Sequence, residues 1–417
     1  MELADHSLSL AHGALAEALA SGRHCLLVQD LDGVCMALVR DPLRRTLEAR
    51  YVEASRAFDG HFFVLTNGEH VGKRGVNGLV DAAFGDPARA RAEGLYLPGA
   101  AAGGVQLQDA RGRVTHPGVS EAELTFLAAV PARARHRLAA TLRESPFTLD
   151  AASAAALADA CVLDNAVSPT VNLNTLFEHH GGDPARYRAV QHQTATFLRA
   201  ELERAGEEGL GDAFFIHLAP NLGRDDAGQE RLQEASGTDA GTTDFQFMLR
   251  GAVKEAGVLV LLNHYYAQHY GEHPLGKDFN VRAAPADPAG LLDLAADRFD
   301  AARMPRIVGV GDTVTALARD GDVLRGGSDR GFLTLVQSLG RHFGSDNATV
   351  FVDSSGGELR RPGIDRRALG GASRHAALAG ISDAEDPLRL NFLFPGGHRE
   401  YVDFFCRVAA ARQAHQP

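Results

Sequence analysis

The stretch His24-Cys25-Leu26-Leu27-Val28-Gln29-Asp30-Leu31-Asp32-Gly33-Val34 decides the fold of this chain. Its apolar run, Cys25 to Val28, reads as a short buried strand that stops at two carboxylates spaced i and i+2 before a glycine. Open α/β folds place ligands at the carboxyl edge of a parallel sheet. A strand ending there turns Asp30 and Asp32 toward one cleft, and Gly33 lets the chain turn away. Two acids this close repel unless a cation or a shared proton compensates, which points to Mg²⁺ or to acid–base work. Taken alone, Asp-x-Asp is also what an Asp-rich turn after a strand looks like, so the neighbouring segments decide between the two.

Working outward, an amphipathic helix is expected over residues 5–20 and another from about Arg44 to Phe58. Phe62 to Leu65 reads as a second apolar strand ending at Thr66-Asn67-Gly68, which completes a βαβ-like unit. The following Gly68-Glu69-His70-Val71-Gly72-Lys73-Arg74 superficially resembles a phosphate-binding P-loop. It fails because only three residues separate the glycines and Arg74 stands where Ser or Thr would hold Mg²⁺. A helix start with exposed basic residues is expected there instead. Residues 94–118, glycine-rich with alternating apolar positions, read as a hairpin or flap.

From Val119 to Gly241 the composition shifts to Ala-rich amphipathic helices (119–143, 151–161, 184–206) with a strand at Ala213 to Leu218. This segment is expected to be an inserted domain. Phe245 to Leu262 then reads as one helix carrying Lys254, and Arg306 to Val310 as a strand delivered into Gly311-Asp312-Thr313. A helix at 330–342, a strand at Ala348 to Val352 and a final helix around 399–412 complete the chain.

Length and composition bound the function. At 417 residues the chain suggests two domains or one α/β domain with a large insertion, and its 45% apolar and 23% charged content is that of a soluble globular protein. A formal net charge of -11 without a Lys/Arg run argues against nucleic acid or an anionic membrane as partner. The four cysteines lie far apart and read as reduced thiols. The first 23 residues lack a basic leader and a continuous apolar core, and no apolar run approaches a membrane span, so a cytoplasmic location is expected.

Asp30-x-Asp32, Thr66, Lys254 and Gly311-Asp312 now line up in order, three of them at strand ends. Phosphoryl transfer to a carboxylate needs such a set. One aspartate attacks phosphorus, a second acid protonates the leaving oxygen and then activates water, a hydroxyl and an ammonium hold the phosphoryl oxygens, and Mg²⁺ neutralises charge. Each element has an ordinary alternative: Lys254 a solvated lysine, with Lys73 as runner-up, and Thr66 a helix cap. The tract His264 to His273 places His269 and His273 at i, i+4, but no carboxylate-rich partner motif accompanies it.

Gln29-Asp30-Leu31-Asp32-Gly33-Val34, Leu65-Thr66-Asn67-Gly68, Lys254 and Gly309-Val310-Gly311-Asp312 resemble the four motifs of the haloacid dehalogenase superfamily. Within it, VQDLDGVCM, FVLTNGEHVGKRG, EGLYLPG with AAGGVQ, SPTVNLNTL, APNLGRD, GTTDFQFMLRG with VKEAGVL, VGVGDTVT, GGSDR, VDSS and FPGGH resemble the glucosylglycerol-3-phosphate phosphatase family. The resemblance spans about residues 8–405. It implies an α/β, Rossmann-like core with a parallel sheet (1–118 and 242–417), an inserted α/β cap (119–241), Mg²⁺ dependence, and release of glucosylglycerol, a compatible solute of salt stress. It also implies Asp30 as nucleophile, Asp32 as general acid/base, and Thr66 and Lys254 on the phosphoryl group. Asn67 and Gly68 would lie at the substrate, and Mg²⁺ on Asp30, Asp312 and the main-chain carbonyl of Asp32.

The family pattern often carries a second acid four residues into the last motif, where this chain has Ala316. Asp329, or Thr313 with water, is the expected replacement. Asn172, Asn174, His217, Asn221 and Arg224 are candidate sugar-binding residues of the cap, though equally turn formers. The expected substrate is a small sugar phosphate. Sucrose, trehalose or mannosylglycerate phosphate is the alternative, a phosphate-binding regulator with a dead centre is the rival of another class, and the synthase that makes glucosylglycerol phosphate is a possible partner.

Overall fold

The computed structural model describes residues 2–22, 24–180, 182–237, 239–319, 321–371 and 373–415. In chain order the strands are β1 (Cys25–Gln29), β2 (Phe62–Leu65), β3 (Gly99–Ala101), β4 (Gln106–Gln108) and β5 (Val114–Thr115). Then follow β6 (Val162–Leu163), β7 (Thr170–Asn172), β8 (Phe214–Ala219), β9 (Asn221–Arg224), β10 (Glu230–Leu232) and β11 (Asp244–Leu249). The last are β12 (Arg306–Gly311), β13 (Thr315–Arg319), β14 (Asp322–Gly326), β15 (Ala348–Val352) and β16 (Phe392–Phe394).

The main sheet has eight strands in the order β16-β15-β12-β1-β2-β3-β4-β5. Strands β16 through β3 pair in parallel, and β4 and β5 turn back antiparallel at the edge. The expected flap at 94–118 is therefore the continuation of the sheet. β1 is wholly buried, which is why it reads as an unbroken apolar run. Its residues alternate between two cores. Leu26 and Val28 pack on the side of the helices Lys254–Tyr270 and Arg330–Phe343, while Leu27 packs with Val64, Val308 and the helix Gly397–His415. Truncating such a residue to alanine costs about 2–5 kcal/mol.

The chain runs from β1 rightward to β2 and β3 and returns only at β12, on the other side of β1. The β1/β12 boundary is thus where strand order reverses, the place such folds bind ligands. The register Gln29↔Val310 brings the carboxyl ends of both strands level.

A second, four-stranded sheet, β6-β7-β11-β8, pairs antiparallel throughout and lies above that edge. Long helices at Glu121–Arg143 and Pro184–Glu207 pack with it, the first opened by a Ser120/Glu123 capping box. One sequence expectation is corrected here. Phe245 to Leu262 is not one helix: residues 244–249 are β11, Gly251 turns with φ +86°, and the helix starts at Lys254. The alternation Asp244-Phe245-Gln246-Phe247 has the period of a strand, and the antiparallel sheet thereby extends beyond residue 241.

The two layers are fastened at two seams. On one, the buried Glu69 carboxylate accepts the N–H groups of Ala166 (3.1 Å), Val167 (2.8 Å) and Ser168 (2.9 Å) in the β6–β7 loop. On the other, the β13–β14 hairpin meets β9: Thr315 Oγ1 donates to Asn221 O (2.9 Å), and the Gly327 N–H to Asn221 Oδ1 (3.3 Å). No helix among the described residues is long and apolar enough to cross a membrane.

Candidate active site

Asp30 leaves β1 with its N–H on Val310 O (2.9 Å) and its Oδ1 accepting the Leu31 N–H (2.8 Å), so the carboxylate is fixed between the ends of β1 and β12. Lys254, 2% exposed, sets its Nζ 2.7 Å from Asp30 Oδ2 and 2.6 Å from Asp329 Oδ1. An ammonium in the first turn of a helix opposes the helix dipole, and the two carboxylates compensate. Asp329 is wholly buried, and its Oδ2 accepts the backbone N–H groups of Asp312 and Thr313, each at 2.9 Å. Gly33 (φ +81°) passes so close that a Cβ there would stand 2.2 Å from Asp312 Oδ2. Only glycine fits beneath that carboxylate.

Burial pushes the Asp30 carboxyl up to about 7; the Lys254 charge works against this, and Asp329 and Asp32 reinforce it. Asp312 is held well above the usual carboxylate range, first by burial and then by Asp329 and Asp30. Burial acts against the Lys254 ammonium, but the charges of Asp30 and Asp329 outweigh it and its net shift is upward.

Among the described residues, one group of side chains is placed to hold a metal ion: Asp30, Asp312 and Asp329, each offering an oxygen within 4.8 Å of the others. Asp312 Oδ2 is buried without a hydrogen-bond partner, and an all-oxygen, multiply acidic donor set suits Mg²⁺. The residues fit the ion.

Asp32 is gripped by Arg45, whose Nη1 lies 2.9 Å from Oδ2 and 3.3 Å from Oδ1. The same guanidinium donates to the carbonyls of Pro42 (3.1 Å) and Arg74. Thr66 donates its N–H to Ala100 O (3.0 Å), and its Oγ1 accepts the Gly68 N–H (3.1 Å). It caps no helix, since the next begins at Val76.

The cleft so formed is lined by Asp30, Asp32, Thr66, Asn67, Gly68, Asn172, Asn174, Lys254 and Asp312, all predicted from sequence. His217, Asn221 and Arg224 line an adjoining cavity that also touches Asn67 and Lys254. His217 links the two: its Nε2 lies 2.9 Å from Asn67 Nδ2 and its Nδ1 2.9 Å from Glu230 Oε1. Burial would raise Glu230, but His217, the Leu218 N–H and Arg224 outweigh it, and its carboxyl is held low. Asn221 directs its amide to Leu218 O (2.9 Å) and Glu230 (3.1 Å) and its oxygens to the β13–β14 seam. Lys73 is exposed on the loop before Val76, away from the cleft. His269 meets Gly60 O (2.9 Å), and its ring lies tilted against Tyr265.

Sequence reasoning missed Arg45, Glu69, Asp244, Gln246 and Arg361, all of which line the cleft. The period-two run from Asp244 to Phe247 was the available signal for two of them. Arg45, Glu69 and Arg361 stand in loops whose course no local pattern announces.

Fold and cleft together define an α/β enzyme with its acids at the carboxyl edge of a mainly parallel sheet. The family model for glucosylglycerol-phosphate phosphatase matches residues 24–409. A glucosylglycerol-phosphate phosphatase of Synechocystis sp. is 50% identical over 419 residues, covering 100% of this chain and 99% of that protein. The chain belongs to the glucosylglycerol-phosphate phosphatase family, and it is a phosphatase. Among solved structures, the C-terminal domain of Candida albicans trehalose-6-phosphate phosphatase aligns at TM-score 0.49 and 10% identity, covering 97% of this chain and 98% of that one. The C-terminal domain of the trehalose synthase regulatory protein of the same organism aligns at TM-score 0.43 and 11% identity, covering 97% and 99%.

Proposed function

We propose that the protein hydrolyses glucosylglycerol 3-phosphate to glucosylglycerol and phosphate in two steps through an aspartyl-phosphate on Asp30, in a Mg²⁺-dependent reaction of compatible-solute synthesis under salt stress. The observation that carries this reading is Lys254 bridging Asp30 and Asp329 beside the unpartnered Asp312 oxygen. A buried cation over a strand-end carboxylate prepares a site for a phosphoryl group and for the oxygen that attacks it.

In the first step an Asp30 oxygen bonds to phosphorus as the bond from phosphorus to the glycerol oxygen breaks, and Asp32 gives that oxygen its proton. In the second, Asp32 takes a proton from water, the water oxygen bonds to phosphorus, and the bond to Asp30 breaks. Lys254, the Thr66 hydroxyl and the loop Asn67–Gly68 hold the phosphoryl oxygens, and Arg45 keeps Asp32 in place between steps. Asp30, Asp312 and the main-chain carbonyl of Asp32 would hold Mg²⁺, with Asp329 behind them. The ion, when bound, neutralises charge between the nucleophile and the phosphoryl oxygens. In this reading the catalytic core is 1–118 with 242–417, the intervening segment is the specificity cap, the protein works in the cytoplasm, and the synthase that makes the substrate is its candidate partner.

The test is phosphate release across sucrose, trehalose, mannosylglycerate and glucosylglycerol phosphates, with Mg²⁺ and with chelator. Glucosylglycerol 3-phosphate is expected to be cleaved fastest and only with the metal. Equal rates across the panel, or full activity in chelator, overturn the proposal.

A further inference from the structure

We infer that Asp244 and Gln246 determine substrate specificity, by accepting hydrogen bonds from hydroxyl groups of the polyol that leaves phosphorus. This rests on the reading of the cleft as a sugar-phosphate site and deepens it.

On β11, Asp244 stands opposite Asn172 of β7 and Ala219 of β8, and Gln246 opposite Thr170 and His217. Side chains alternate across a sheet, so these positions share one face. Thr170, Asn172, Ala219, Asp244 and Gln246 all line the cleft that holds Asp30 and Lys254. On the opposite face Val171, Phe245 and Phe247 are buried in the apolar core. A slip of one residue would exchange the two faces and bury the polar set, so the register is strongly fixed.

The second observation is unmet hydrogen-bonding capacity. Gln246 is 7% exposed, and its Oε1 is buried without a partner. Buried side-chain oxygens are usually satisfied, and one left open on a cleft wall is free to accept from what enters the cleft. Asp244 is met by neutral donors: Asn172 Nδ2 on Oδ1 at 2.8 Å and Thr243 Oγ1 on Oδ2 at 3.0 Å. Among the described residues no ion pair is made to it; burial raises its carboxyl above the usual range, while the more distant Arg361 charge pulls the other way. Each of its oxygens still has acceptor capacity. Acceptors whose direct hydrogen-bond partners are neutral suit neutral donors, which hydroxyls are. Arg361, with a buried Nε that has no partner, extends the polar wall from this cleft into a neighbouring cavity of about 480 Å³.

The experiment compares kcat/KM for glucosylglycerol 3-phosphate with kcat/KM for p-nitrophenyl phosphate, which offers no alcohol hydroxyls, in wild type, Asp244→Asn and Gln246→Met. The ratio of the two is expected to fall roughly 10- to 100-fold in each variant, the size of losing hydrogen bonds that the site was built to make. Gln246→Met also removes an unpartnered polar atom, so its Tm without ligand is expected to stay level or rise, an outcome that a structural role would reverse. It stands as the test if Asp244→Asn does not fold. A ratio within twofold of wild type, or equal losses on both substrates, overturns the inference. Failure of the wild type on glucosylglycerol 3-phosphate would instead overturn the proposed substrate; the ratio is then taken on whichever sugar phosphate it cleaves best. A wild type that cleaves none of them overturns both.

Discussion

Asp329 lies 17 residues beyond Asp312, yet its carboxylate accepts the Asp312 N–H at 2.9 Å and holds Lys254 at 2.6 Å with its other oxygen. A whole β-hairpin is inserted between the two acids, and the second still returns to the strand end. The chain therefore brings a second acid beside Asp312 at a spacing that no short motif would match. Its placement also explains why Gly311 precedes Asp312: a Cβ there would come within 2.7 Å of Asp329.

Asp329→Ala is expected to destabilise the protein by about 3–5 kcal/mol, because it leaves the Lys254 ammonium buried with half its compensation. Asp329→Asn keeps the shape and the acceptor for the two N–H groups, and is expected to fold while losing at least about 100-fold in kcat/KM. Urea denaturation and phosphate release distinguish the two effects. An alanine variant as stable as wild type would show that the ammonium is not held by this pair.

Asp30→Asn should leave the fold intact and abolish turnover, since an amide cannot form the acyl-phosphate. Lys254→Ala should lower kcat by roughly 10²- to 10³-fold, as expected for losing a preorganised cation. Lys73→Ala should do little, its side chain being exposed outside the cleft. Steady-state rates of the three variants check the assignment, and the reverse order for the two lysines would transfer the role.

Glu69 offers a different kind of test because the hydrogen-bond partners of its carboxylate sit in the other layer. Glu69→Ala leaves three backbone N–H groups unpaired, and a loss of about 3 kcal/mol is expected, hydrogen bonds to charged groups being the stronger kind. Hydrogen exchange at Ala166, Val167 and Ser168 should accelerate before the rest of the sheet does. Uniform exchange across the chain would show that this seam is not a separate fastening.

His70 makes stability depend on pH. Burial holds its imidazole down at about 4, against the smaller upward pull of its hydrogen bond to Gly99. With an unfolded value of about 6.5, protons bind the unfolded chain preferentially. The contribution is whole above about pH 6.5 and is lost as pH falls toward 4. Between pH 7 and pH 5 wild type should lose about 2 kcal/mol more than His70→Asn. Denaturation midpoints at the two pH values decide it, and equal losses would mean His70 does not titrate in this window.

The acidic half of the cleft is legible because its residues sit at ends of short apolar strands, where local pattern and chemistry coincide: Asp30 after β1, Thr66 after β2, Asp312 after β12. The recognition half is not. Asn221, a candidate sugar ligand or equally a turn former by sequence, directs its donors and acceptors to Leu218, Glu230, Thr315 and Gly327. Gln246 falls inside a segment that reads as helix and Asp244 just before it, since Phe245, Phe247 and Leu249 run on into the apolar helix that follows. Arg45 reaches Asp32 across 13 residues of irregular chain. Such pairings depend on how loops return in space, which neither periodicity nor propensity encodes.

The two seams have a consequence for traffic. A layer tied down both at Glu69 and at Asn221 behaves as a roof on two walls, because lifting it would break charged and neutral hydrogen bonds on both sides together. Ligands are then expected to pass sideways, by Asn174, Leu359 and Arg361, which line both the larger cavity and the cleft. Side-chain rotations are faster than hinged domain motions, which take microseconds to milliseconds. Exchange through such a doorway should therefore escape the slow step that a swinging cover imposes, and a covalent tether across the Glu69 seam should leave turnover running.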